Sequence, residues 1–434
     1  MSESIPPIET IRNGTSDAER NEDTHRGFKP RHSQMIAIGG AIGTSLFLRT
    51  SQVLRVGGPL FLLISYRVLS IPVYCIVTGI AEVATYLPVP GGIMAYYGHK
   101  YVSSSMGFAM GYLCWYSLGI LIPYEFFAST LLTNYWGTVV NGAVWITIIY
   151  VIIVIINLFP VRVFGECEFW SAGMKVLLIL GLIFLSILLF FGGGPHKDAL
   201  YFGYWKDPVC ASNDPRLTAS GTARSPFIIA IRNAGIPVLD SIVNALILLS
   251  AITAANAFLY SASRNLYSLA KAGNAPAIFK RCDRYGLPYY AVLITASLGC
   301  LAYLSLSNSS LTVFNWLINL TNTSGYISWI CCSIIYARYR KAITHHKLES
   351  PYRSRLQPWG MYFGVNWLIF FTAYIGISAF LLIYFGHRLY QRGDRWVRDP
   401  EDIDMYQGMD EVLAAERPPP VRVNIYRRLW ALVE

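Results

Sequence analysis

The sequence predicts an all-α polytopic membrane protein, and three observations carry that prediction. Hydrophobic residues make up 54% of the 434 and charged residues only 14%, where soluble domains carry about 25% charged. The mean hydropathy is +0.42. The apolar residues gather into runs long enough to cross a hydrocarbon core about 30 Å thick, which takes roughly 20 residues per helix. The same apolar content excludes a disordered chain, and eight cysteines in this length exclude a disulfide scaffold.

Nine runs qualify, at about 33–50, 58–80, 103–124, 138–160, 169–192, 237–262, 287–306, 311–337 and 365–386. They divide the chain into an N-terminal tail (1–32), a transmembrane domain (33–386) and a basic C-terminal tail (387–434). The first run holds Gly39-Gly40-Ala41-Ile42-Gly43-Thr44-Ser45, and glycine at this density disfavours a continuous helix. Either the helix breaks there, or the glycines serve close packing against a neighbouring helix. The second run carries Arg67, expected to snorkel to the outer face, and reaches Glu82 at its end. The third is free of charge from Val102 to Glu125, and the fourth is uncharged throughout. The fifth contains Lys175, six residues beyond Phe169. No Asp, Glu, Lys or Arg occurs from Tyr285 to Ala337. That stretch is too long for one crossing, and its polar Leu304–Ser310 segment (LSLSNSS) divides it in two.

Loop charge sets the orientation. With the N-terminus inside, the inner segments through residue 364 hold eighteen Lys and Arg and the outer loops seven, as the positive-inside rule requires. The last run breaks the pattern. Nine crossings would put the tail from His387 outside, yet it carries eight arginines, and the loop preceding that run is also basic. A single crossing cannot place both flanks inside.

Several function classes lack their residues. The net charge of +10 is spread over loops and tails without a basic stripe interleaved with stacking aromatics, so no nucleic-acid partner is expected. There is no CxxC pair, and His345-His346 stands apart from any cysteine, so no metal site is expected. No cofactor motif is present, since no Gly-Lys-Ser/Thr follows the glycines of the first run. No zinc-protease or nucleophile-elbow motif supports an enzyme. The sequons at Asn13, Asn308, Asn319 and Asn322 fall inside, in a very short loop or within a span, so glycosylation is not expected. What remains is a small set of costly intramembrane features. Irregular backbone at Gly39–Ser45 leaves free amides and carbonyls that suit a carboxylate and a cation. Glu125 and Lys175 are ionisable residues in apolar runs, where such groups mark ion or proton pathways. Each also has a plainer reading, Glu125 as an interfacial helix end and Lys175 as a snorkelling side chain.

The motifs resemble the fungal (yeast-type) amino-acid permeases of the amino acid–polyamine–organocation superfamily. The matching phrases are RHSQMIAIGGAIGTSLF (31–47), EVATYLPVPGG (82–92), GFAMGYLCWYSLGILIPYE (107–125) and FGECEFWSAGMKV (164–176). SASRNLYSLAKAGNAPAIFKR (261–281), SGYISWICCSIIYARYRKA (324–342) and FFTAYIGISAFLLIYFGHRL (370–389) follow in family order. The resemblance implies twelve helices, the first ten forming two inverted five-helix repeats. It implies an amino-acid substrate held at broken helices one and six, uptake driven by protons, and a plasma-membrane location. By position it assigns Gly39, Gly40, Gly43, Thr44 and Ser45 to substrate, with Ser45 in place of a usual glycine. Glu125 matches the acidic position of the family's third helix, and Lys175 the lysine that occupies the coupling-ion position in some relatives.

Two departures stand out. Only Val209-Cys210-Ala211-Ser212 separates YFGYWKDP (201–208) from NDPRL (213–217), where the family places its sixth and seventh helices. After QPWGMYFG (357–364) the chain passes directly to what resembles helix twelve, without helix eleven. The resemblance therefore implies an incomplete five-plus-five fold of about nine helices. Twelve less three gives the nine runs, and loss of one late helix inverts the last of them, as the arginine-rich tail suggests. The expected activity is proton-coupled amino-acid permeation, or, with half a site absent, a non-transporting membrane sensor or interaction protein built from permease parts.

Overall fold

The computed structural model describes residues 30–48, 50–88, 94–137, 140–195, 201, 225–236, 238–283, 286–306, 308–364 and 384–387. All regular structure among them is helical. Helix α1 (Pro30–Ala41) and helix α2 (Thr44–Leu48) are separated at Ile42 and Gly43, so the glycine-rich run does interrupt the first span. Helix α3 (Thr50–Tyr86) bends at Gly58, whose φ of 72° lies in the left-handed region that glycine enters without a Cβ clash. Helix α4 is Met94–Tyr101. Helix α5 (Ser104–Thr133) starts at Ser103, whose hydroxyl oxygen accepts the Met106 amide at 3.2 Å, the standard N-cap arrangement. Helix α6 (Gly142–Leu158) begins on Asn141 in the same way. Helices α7 (Val161–Phe190), α8 (Pro226–Asn233) and α9 (Leu239–Lys271) follow. Helix α10 (Tyr289–Ser297) tightens into a 3-10 stretch over Leu298–Leu306, and α11 runs Asn308–His345.

Among the described residues, five helical stretches are long and apolar enough to cross a membrane: Gly57–Tyr86, Ser104–Trp136, Val161–Phe190, Leu239–Lys271 and Tyr289–Leu306. Gly142–Leu158 is a shorter apolar helix. Most of the ninth predicted run, 365–383, lies outside the described residues. Two boundaries differ from those the sequence suggests. The third span does not stop near Tyr124; α5 continues to Thr133 and carries Glu125 in its interior. The fifth begins earlier, at Val161, which brings Glu168 into α7. At Glu125 the carboxylate looked like an interface, but the apolar residues beyond it keep the helix going.

Helices α5 and α9 form the centre. In their most apolar windows 56% and 61% of residues are buried, against 17% for α3 and α7, whose apolar side chains face outward. Exposed Leu60, Phe61, Ile64 and Ile71 on α3 and Leu177, Leu180 and Phe184 on α7 suit a lipid surface, and Arg67 is exposed on the same helix as the first four. One end of the array packs on tyrosines: Tyr86, Tyr97, Tyr101, Tyr336 and Tyr339 join the ends of α3, α4 and α11. By the charge rule this end is cytoplasmic. The opposite end is mostly aliphatic, with Phe47, Leu132, Ile228, Ile231 and Ile247.

The flanks of the ninth run both sit on the tyrosine side. Gln357 donates to the Cys75 carbonyl at 2.6 Å, and a Cβ at Gly364 would come within 3.0 Å of Ile76. Tyr384 packs on the tyrosine cluster, and His387 stacks on Phe108 of α5 at 4.0 Å and meets Ser105 at 3.2 Å. His387, the last described residue and the first of the basic tail, therefore lies at the end that the tail's arginines favour.

Candidate functional site

A helix end leaves its last carbonyls without intrahelical partners, and the break after α1 creates such an end inside the array. The sequence supplies replacement donors from distant helices. Lys175 Nζ of α7 donates to the Gly39 carbonyl at 2.9 Å, and Ser250 Oγ of α9 donates to the Ile42 carbonyl at 3.0 Å. A fixed cation at a helix C-terminus also answers the negative end of the helix dipole. Lys175 is only 2% exposed, so it does not snorkel to an interface.

Across the break, buried Thr44 donates its hydroxyl to Glu125 Oε2 at 2.7 Å. Glu125 is 2% exposed and eight residues from the end of α5, which removes the interfacial reading. Its other oxygen lies 3.3 Å from where a Cβ on Gly43 would stand, so Gly43 gives the carboxylate room. Gly39 serves packing as well: a Cβ there would come within 2.9 Å of the Ala172 Cβ on α7. Gly40 has open space beside it, and Ser45 is exposed, one residue beyond buried Thr44. Of the residues that the sequence singles out, Gly39, Gly43, Thr44, Glu125 and Lys175 thus converge on the break. Gly40 and Ser45 adjoin it with open or exposed sides.

Besides Ser250, the sequence reading missed three participants. Glu168 is fully buried on α7, two turns before Lys175, and interacts with it electrostatically. Asn256 of α9 donates to Glu168 Oε2 at 3.4 Å, and Asn157 of α6 donates to Asn256 Oδ1 at 2.7 Å. The available signal was the seven-residue spacing of Glu168 and Lys175, which puts both on one helix face. Elsewhere, Glu82 closes on α11: Arg340 Nη1 lies 2.7 Å from Oε1, and Tyr336 OH donates to Oε2 at 2.9 Å. A further concavity between α7 and α9 is lined by Met174, Leu178, Leu182, Leu239, Val243 and Leu246 among others. It is apolar and offers a zwitterion no partner.

A helix broken within an apolar array, with ionisable side chains on its freed backbone, is the arrangement of a membrane transporter. Comparison with known proteins agrees. The amino acid permease family profile matches residues 32–213 and again 208–394. The proline-specific permease of Emericella nidulans is 36% identical over 91% of this chain and 90% of its own length. A probable proline-specific permease of Schizosaccharomyces pombe is 34% identical over 90% of each chain. The lysine-specific permease of Saccharomyces cerevisiae is 30% identical over 98% of this chain and 85% of its own. The chain belongs to the amino acid permease family; it is an integral, multi-pass membrane protein with a transport rather than an enzymatic role. The profile match divides at 208–213, the join already marked by Val209–Ser212. The first comparison extends over 496 positions, whereas 91% of 434 residues is about 395. About a hundred positions of that alignment therefore have no residue from this chain.

Proposed function

We propose that the chain is a proton-coupled amino-acid carrier of the plasma membrane whose substrate and coupling groups gather at the α1–α2 break. The observation that carries this reading is the pairing of Lys175 with the Gly39 carbonyl beside the Thr44–Glu125 contact. Backbone groups of Gly39–Ser45 bind the α-amino and α-carboxyl ends of the substrate, and the open side of Gly40 leaves room for it. Lys175 holds the position of a coupling cation and, with Glu125, is the proton-linked group. No cofactor takes part; the partners are the amino acid, protons and the bilayer. Relatives described as proline-specific make proline the first substrate to test. The test is radiolabelled uptake in a permease-deficient cell. Saturable uptake that rises as external pH falls supports the carrier.

One observation favours a second reading, a non-transporting sensor or interaction protein. It is the join at 208–213, which we read as loss of the family's sixth and seventh helices, with the eleventh lost after Gly364. Nine spans instead of twelve would remove half of the substrate site. Binding without uptake would select the sensor. Sequencing the transcript across the codons for Val209–Ala211 and Gly364–Val365 tests the join itself: extra in-frame sequence at both would restore a twelve-helix carrier.

A further inference from the structure

Glu168 is the buried carboxylate that the carrier reading leaves unused. It is fully buried, and its Oε1 has no hydrogen-bond partner. Oε2 has only the long 3.4 Å contact from Asn256. Burial of a carboxylate with so little compensation is costly, and a group of this kind inside a membrane protein is a functional candidate.

Its surroundings define a direction. Lys175 Nζ sits on the carbonyl of Gly39, and Glu168 Oε1 lies 3.4 Å from where a Cβ on Gly39 would stand. Both ionisable side chains of α7 thus border the same glycine, on which Ala172, between them along α7, is packed. Glu168 lies nearer than Lys175 to the α7 N-terminus, which the charge rule puts at the cytoplasmic end. The groups facing this region are few: Lys175 from α7, with Glu125 of α5 beyond it; Gly39 from α1; Asn157 from α6; and Asn256 from α9. One turn along α9, Tyr260 stacks on Phe164 at 4.2 Å and lies under the Arg264 guanidinium at 5.1 Å. Arg264 Nη2 is buried and also lacks a hydrogen-bond partner.

We propose that Glu168 is the proton acceptor on the cytoplasmic side of Lys175. This rests on the proton-coupled reading above. In the transfer the Lys175 ammonium swings from the Gly39 carbonyl to Glu168; an Nζ–H bond then breaks and an Oε1–H bond on Glu168 forms, leaving a neutral amine and a neutral carboxylic acid. No electrons are exchanged, and two buried charges vanish together, which lowers their shared desolvation cost. Glu168 then releases the proton to cytoplasmic water, with Asn256, braced by Asn157, holding its carboxyl group in place.

The test uses the full chain in liposomes with a radiolabelled mixture of the protein amino acids. It measures exchange at equal pH and accumulation driven by a pH gradient. Glu168→Gln is expected to keep exchange near wild type and to lose gradient-driven accumulation by about a hundredfold, the scale of a lost proton-transfer group. Glu168→Asp, which keeps a titratable carboxyl, should restore part of it. If Glu168→Gln accumulates like wild type, or if both variants lose exchange as well, Glu168 is not the acceptor. If wild type exchanges but ignores the gradient, the proton-coupled reading fails and takes this one with it. If wild type does neither, both are overturned.

Discussion

Glu82 and Glu168 are both fully buried, yet their surroundings differ in kind. Glu82 has a guanidinium on one oxygen and a tyrosine hydroxyl on the other, at the end of the array where tyrosines pack edge to face. Glu168 has one long amide contact and a bare oxygen, beside a lysine bound to backbone rather than to it. A carboxylate whose both oxygens are matched holds helices together. One left partly unmatched keeps its protonation free to change. The carrier reading accordingly assigns the break between α1 and α2 to chemistry and the Glu82–Arg340 contact to architecture.

The largest expected effect separates the two regions directly. Lys175→Met removes the ammonium from the Gly39 carbonyl and leaves Glu168 and Glu125 without their shared cation. Uptake in a permease-deficient cell should fall to background, while the protein still elutes as a single peak after detergent extraction. Loss of the peak would make Lys175 a scaffold residue and erase the distinction. Arg340→Met should do the reverse. Breaking a buried pair on one side costs about 3–5 kcal/mol, so the melting temperature should drop sharply, with Glu82→Gln/Arg340→Met recovering much of it. If Arg340→Met melts like wild type but stops transport, the Glu82 cluster is a working part instead.

The two regions were also unequally legible in the sequence. Apolar run length located α3, α5, α6, α7, α9, α10 and α11, and three glycines in five positions located the break. Positive-inside counting exposed the conflict at the ninth run, whose flanks the structure puts on one side of the array. Partners were not legible. Thr44 and Glu125 lie 81 residues apart, and Asn256 and Glu168 lie 88 apart; no local pattern encodes such pairs. Glu125 was found because it closes a long charge-free stretch. Glu168 was missed because Arg162 and Glu166 precede it closely, so it read as part of a polar loop until α7 proved to begin at Val161.

A smaller effect tests how tightly Glu125 is bound into the break. Thr44→Val keeps the shape and removes the hydroxyl that donates to Glu125 Oε2. Hydrogen bonds to charged groups contribute about 1.5–3 kcal/mol, which corresponds to a rise in half-saturating amino-acid concentration of roughly ten- to a hundredfold if the bond orders the substrate site. Thr44→Ser should behave as wild type. Equal uptake by Thr44→Val and wild type would mean that Glu125 needs no fixed orientation.

The smallest expected effect concerns Ser250, the neutral counterpart of Lys175 at the same helix end. Both satisfy carbonyls freed by the break, Ser250 on Ile42 and Lys175 on Gly39, but only the lysine carries charge. If the donors act merely as caps, Ser250→Ala and Lys175→Met should weaken the protein in proportion to their bonds, and neither should alter the response to pH. If charge at Gly39 is the working element, Ser250→Ala should cost about 1 kcal/mol of stability, the net worth of one neutral hydrogen bond, and leave the pH dependence of uptake in place. A small loss of melting temperature with an unchanged pH profile is the outcome expected. A shifted profile would show that the geometry of the break, and not the ammonium alone, sets the coupling.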